Sequence, residues 1–149
     1  MSPGPEPAAD DLVFALPAAM RQEIIDHARQ ESPRECCGLI SGHGGRARRL
    51  HRLTNLAVGN SLYEIDPREI YELEFRELPN HGTEVLAIYH SHPACPAYPS
   101  ATDLALAFWP EAFYLICSLE DTDAPEVRGF RLAGGRVREA TLLVEEWRK

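Results

Sequence analysis

The chain has 149 residues, a formal net charge of −8 and a pI near 5.2. That length fits one domain, and a surface this acidic disfavours nucleic acid, whose phosphates it would repel. No apolar run approaches the ~20 residues that cross a bilayer, and the opening MSPGPEPAADD lacks the basic start and apolar core of an export signal. The expected compartment is therefore the cytoplasm, with no membrane partner and with Cys36, Cys37, Cys95 and Cys117 reduced.

Residues 1–11 are proline-rich and poor in apolar side chains, which predicts a disordered tail ahead of a domain over 12–149. Leu16, Met20, Ile24 and Ala28 then recur at every fourth position and predict a helix, with Pro17 in its first turn. Pro33 disfavours helical backbone at Ser32 and should end it. CCGLISG and RARRLHRLTNL, joined by HGG, read as two strands of a hairpin.

Asp66-Pro67-Arg68-Glu69 opens a second helix, with Asp66 as N-cap, Pro67 at the first position and Glu69 closing a capping box. It should turn Ile70, Leu73 and Leu78 inward and stop before Pro79. TEVLAIYH is a buried strand, and Ser100 is the N-cap of a third helix, ATDLALAF. FYLICSL is another buried strand, and VRGFRLAGGRVREATLLV is a hairpin turning at Gly134-Gly135. The order α-β-β-α-β-α-β-β-β predicts an α+β domain around one sheet.

The chemistry concentrates at HSHPACPAYPSATD, His90 to Asp103. In an extended segment His90 and His92 point to one side, with Ser91 on the other. A short loop with Pro93, Pro96 and Pro99 then returns Asp103, in the first turn of the next helix, towards the strand end. Two neutral imidazoles and a carboxylate, with a fourth position open, suit a catalytic zinc. Other zinc patterns are absent: there is no HExxH, and the HxE with PCxxC of the nucleobase deaminases is missing. A cysteine nucleophile would need an electropositive, partly exposed thiol. Cys36 and Cys37 open an apolar strand, one of them facing the core. Cys117 reads as core and Cys95 as a spectator in the ligand loop.

The full spacing H-S-H-x7-S-x2-D resembles the signature of the JAMM, or MPN+, metalloprotease family. Glu35-Cys36-Cys37-Gly38 looks like the family's upstream glutamate and the strand after it. The resemblance implies a single MPN domain, a cytidine-deaminase-like α+β fold with a mixed, curved sheet flanked by helices. It implies zinc (Zn2+) on His90, His92 and Asp103, Glu35 as general base, and Ser100 as a hydroxyl donor to the oxyanion. A non-catalytic scaffold of this fold would lack the ligands that this chain keeps.

The chain is similar to the compact bacterial members, including those that remove cysteine from a ubiquitin-like sulfur-carrier protein. TNLAVGNSLYEIDPREIYE also looks like that group. The implied partner is a ubiquitin-like or sulfur-carrier protein with a Gly-Gly C-terminus, bound as an extended strand. Asn55 and Tyr63 are candidates to hold that tail, against the plainer readings of a turn residue and a core aromatic. A general isopeptidase differs only in its leaving group and stays open at this point, as does a homodimer through edge strands. A cell-wall peptidase is disfavoured by the missing export signal.

Overall fold

A computed structural model describes residues 12–146. The expected tail, residues 1–11, lies outside the described residues. The first element differs from expectation. Val13–Pro17 is a strand, β1, and the helix α1 spans Ala18–Glu31. Leu16 is buried as a strand residue, next to Phe14 two positions earlier, so its spacing to Met20 is not helical. β1 is held by parallel pairing with the last strand, Val13 opposite Thr141, a partner that no local pattern discloses. α1 ends as expected, with Ser32 turning extended (ψ 136°) before Pro33.

β2 (Cys37–His43) and β3 (Arg46–Leu53) form the expected hairpin. Gly44 and Gly45 supply the two positive φ angles, 58° and 75°, that its two-residue turn requires. α2 (Pro67–Glu72) is capped by Asp66, whose carboxylate accepts from the Arg68 N–H at 2.9 Å. The capping box does not close. The Glu69 carboxylate instead accepts from the Thr54 N–H at 2.6 Å and ties the helix start to the end of β3.

Nor does this helix stop before Pro79. It widens into a π-helical stretch, Leu73–Glu77, and ends in a last turn, α3 (Leu78–Asn80). The widened register places Pro79 in the first turn of a new segment, where its missing N–H is tolerated. β4 (Glu84–His92), a short α4 (Ala101–Ala105), β5 (Phe113–Ser118), β6 (Glu126–Ala133) and β7 (Arg136–Glu145) follow. α4 is shorter than ATDLALAF because Leu106 already leaves helical geometry.

The seven strands form one mixed sheet in the order β1-β7-β6-β5-β4-β2-β3. β4 runs parallel to β5 and β1 to β7; the remaining pairs are antiparallel. The two edge strands, β1 and β3, approach each other, so the sheet curls almost into a barrel. This is the expected α+β architecture, a curved mixed sheet flanked by helices. Among the described residues no helix is long and apolar enough to cross a membrane.

Strands at the centre are buried on both faces, which explains their unbroken apolar runs. Ala87, Tyr89, Leu115 and Cys117 face α1, packing with Ile24, Ile25 and Ala28. Ile88, Tyr114 and Ile116 face the other way, onto Leu73 and Leu78. Tyr89 reaches across its core to bring its hydroxyl within 2.7 Å of His27 Nδ1. It can lie flat there because its partner in β2 is Gly38. A Cβ on Gly38 would collide with the Tyr89 ring. Gly38→Ala is therefore expected to destabilise the protein by about 1–3 kcal/mol, the usual cost of overpacking a core. Urea unfolding of the two proteins measures this, and equal midpoints would refute it.

Candidate metal centre

The carboxyl end of β4 lies between β2 and β5, at the end of the parallel pair, where sheets of this kind commonly hold ligands. His90 sits opposite Cys37 on one side and Ile116 on the other. Strand alternation sends His90 and His92 to the face that carries Ile88, and Ser91 to the opposite face. The loop after β4 then returns α4. Ser100 caps it: its Oγ accepts from the Asp103 N–H at 3.0 Å, and its own N–H donates to Asp103 Oδ2 at 2.9 Å. This capping box aims the Asp103 carboxylate at the two imidazoles.

Three ligand-type atoms converge. His90 Nε2 and His92 Nε2 are 3.2 Å apart, and they lie 3.2 Å and 3.0 Å from Asp103 Oδ2. A single proton can bridge two of these acceptors; a divalent cation satisfies all three. The triangle also has the right size, since tetrahedral ligands at ~2.0–2.1 Å from zinc stand about 3.3 Å apart. Glu35 completes the group: one atom from each of the four residues lies within 4.8 Å of the others. All four are deeply buried, with 4 %, 0 %, 2 % and 5 % exposure for Glu35, His90, His92 and Asp103. Two carboxyls in one interior pocket are costly unless cationic charge stands beside them. The donor set therefore fits a metal ion.

The electrostatics separate the four by role. Burial pushes the Glu35 carboxyl up to about 7, aided by the Asp103 charge and opposed by His92. Burial alone would also raise Asp103, but hydrogen bonds from His90 and His92 and from the Ser100 N–H hold it well below the carboxylate range. Burial lowers His90. It works against His92 too, yet the Asp103 contact and the Pro96 carbonyl keep that ring above its ordinary value. His92 Nδ1 lies 2.8 Å from Pro96 O. An N–H there leaves the Nε2 lone pair facing the cluster, the usual arrangement behind a metal-ligating histidine. Glu35 Oε1 and His90 Nδ1 are buried and have no hydrogen-bond partner among the described residues.

Ser91, Asn55 and Arg34 brace the segment that carries Glu35. Ser91, between the two histidines, accepts the Cys36 N–H on its Oγ at 2.8 Å. The signal was available: a residue one position from a ligand faces the other side of its strand. Asn55, expected against a bound tail, donates from Nδ2 to the carbonyls of Glu35 (2.9 Å) and Leu62 (3.2 Å). Its Oδ1 accepts from Ala57 and Glu64, both at 2.9 Å. Arg34 does not pair with Glu35; its guanidinium donates to the carbonyls of Asn55 and Ala57 at 2.8 Å and 2.7 Å. Tyr63, at the far end of the same loop, is buried and stacks on the His90 ring with centroids 4.4 Å apart.

Three of the four thiols are buried and poorly suited to act as nucleophiles. Cys36 and Cys37 are both fully buried, one in each core, and burial pushes both up to about 12. Cys117 is core and rises to about 11 for the same reason. Cys95 is exposed in the ligand loop, and burial with nearby acids raises it.

Fold and site together define a metal-binding domain with a buried, protonatable carboxyl beside the metal position. Comparison with known proteins narrows this: residues 17–133 match the family described as prokaryotic homologs of the JAB domain, and the chain belongs to that family. It is 34 % identical over 136 residues to the CysO-cysteine peptidase of Mycobacterium tuberculosis, covering 90 % of this chain and 92 % of that one. It is 33 % identical over 140 residues to the desampylase of Haloferax volcanii, covering 89 % and 96 %. Among solved structures it resembles a Desulfitobacterium hafniense protein, at 35 % identity and a TM-score of 0.80 over 90 % of this chain and 94 % of that one.

Ser91→Ala is expected to strand the buried Cys36 N–H and cost about 1–3 kcal/mol. Urea unfolding gives the loss, and amide exchange should quicken at Cys36 in particular; unchanged exchange there would remove Ser91 from the support of the site.

Proposed function

We propose that the protein is a zinc-dependent peptidase acting after the C-terminal Gly-Gly tail of a ubiquitin-like sulfur-carrier protein, with cysteine as the leaving group. The observation that carries this reading is the buried Glu35 carboxyl, whose Oε1 has no partner among the described residues, beside the His90–His92–Asp103 triangle. The likeness to a CysO-cysteine peptidase over most of both chains supports the substrate class. The likeness to a desampylase favours a second reading, in which the leaving amine is a lysine side chain.

His90, His92 and Asp103 would hold the zinc. When bound, zinc supplies Lewis acidity towards a water and towards the scissile carbonyl. Glu35 takes the proton of the attacking water and returns it to the departing amine, a role that suits a carboxyl poised near neutrality. Ser100 Oγ accepts from the Asp103 N–H, so its own O–H remains to be donated to the oxyanion. Asn55 and Tyr63 act here as positioning residues: Asn55 ties Glu35 to its loop, and Tyr63 backs the His90 ring. All of these residues come from one chain, so the reading requires no second copy.

Four outcomes test it. A carrier protein ending in Gly-Gly-Cys should lose the mass of one cysteine on incubation, whereas cleavage only of a lysine-linked conjugate would favour the second reading. Glu35→Gln should keep one zinc per chain and slow turnover by about 10²–10⁴-fold, the usual worth of a general base. His92→Ala should lose metal and turnover together; full activity in either variant would overturn the roles. Acid should weaken both properties. The imidazoles must be neutral to bind metal, so zinc affinity falls as pH drops through the histidine range, about 6.5. Glu35 must be ionised to take a proton, so the acid limb of the rate profile should lie at or below about pH 7.

A further inference from the structure

At the other end of β2 a second group of polar side chains lines a cavity of about 250 Å³. Its walls include Ser41, Arg48, Arg49, His51, Glu77 and His81. Ser41 is almost fully buried on the face of β2 that otherwise carries Cys37 and Leu39. Its Oγ lies 2.8 Å from His51 Nε2 on β3. The sheet is irregular on both sides of this residue. Pairing with β4 slips between Ile40 and Ser41, and pairing with β3 slips between Ser41 and Gly42. Bulges of this kind re-aim a side chain and often flank functional sites. The facing wall is the end of the π-helical stretch, Glu77, and the turn after it. Such widened turns also gather at functional sites.

The charge in this cavity runs against that of the molecule. The chain carries −8, yet two guanidiniums meet a single carboxylate here. That carboxylate, Glu77, is engaged by Arg49 at 3.3 Å. Arg48 forms no ion pair among the described residues. Burial keeps the His51 pKa low, against the pull of Glu77, so near neutrality its ring is uncharged and offers one N–H. A hydroxyl–imidazole pair fixed by bulges, beside an uncompensated guanidinium, is a donor set suited to a small oxyanion.

We propose that this cavity is a second binding site, for a carboxylate or phosphoryl group, with Arg48 as the charged anchor and the Ser41–His51 pair as the polar floor. The Glu77–Arg49 ion pair bounds it. Ser41 is four residues from Cys37, so the site stands about 13 Å along the strand from the metal centre at ~3.3 Å per residue. It is independent of the reading given above for that centre.

The test is a titration of the full chain with inorganic phosphate, and separately with acetate, at constant ionic strength, followed by amide NMR. Saturating shifts are expected at Ser41, Arg48 and His51, with His90 and His92 unmoved. Saturation by phosphate alone points to a phosphoryl ligand and by acetate alone to a carboxylate; either supports the site. Arg48→Ala, on an exposed side chain, should weaken binding at least about tenfold, the worth of one charge-assisted contact, and leave hydrolysis unchanged. His51→Phe should weaken it independently of that charge. Linear shifts spread over the arginines, or saturation undiminished in both folded variants, would overturn the proposal.

Discussion

The pairing of β2 with β4, Cys37 opposite His90, is the constraint on which the rest of the centre depends. It brings two distant segments into register, one ending in two imidazoles and the other beginning just after Glu35. The Ser91 hydroxyl locks the junction through the Cys36 N–H. Once that register is set, the side-chain period of two leaves no freedom: a slip of one residue would send both imidazoles to the α1 core. The carboxylate of Asp103 arrives from outside the sheet, and its aim is set by a separate local device, the capping box at Ser100. A strand register and a helix cap thus meet at a triangle about 3 Å on a side.

Burial gives this triangle its chemistry. In water, Glu35 and Asp103 would titrate alike. Inside the fold, Asp103 is held ionised by the imidazoles, while Glu35 lacks such a partner and rises to about 7. Two carboxyls driven apart in this way are suited to different tasks, one as a ligand and one as a proton carrier. The same burial silences the adjacent thiols, which enter opposite cores and lose nucleophilic character. The sheet can sustain this because both of its faces are packed. On the α1 side Tyr89 fills the space that Gly38 leaves open, and on the other Tyr63 backs His90.

Much of this was legible in the residues. Pro33, Asp66-Pro67, Ser100 and the two Gly-Gly turns act within a few positions and mark their elements correctly. The spacing from His90 to Asp103 singles out three of the four residues that converge, and Glu35 joined them only through the family resemblance. What escaped depends on partners far away in the chain. β1 exists because β7 is beside it, and Leu16 belongs to that strand rather than to a helix. Glu69 turns to Thr54 because β3 ends there. Pro79 continues a helix because a widened turn precedes it. For Asn55 and Tyr63 the sequence left a tail contact open beside a turn residue and a core aromatic, and only the fold shows Asn55 on the Glu35 carbonyl and Tyr63 on the His90 ring.

The sequence by itself determined most caps and turns, the α+β class and the His-Ser-His to Asp pattern able to bind a metal, because caps, turns and ligand spacing operate over a few bonds. The tertiary structure alone decided the strand order, the register that gathers the cluster, and the Ser91 and Asn55 contacts that hold Glu35. It also decided which carboxyl stays charged. These last properties arise from burial and from contacts between segments tens of residues apart, and no short window of residues contains them.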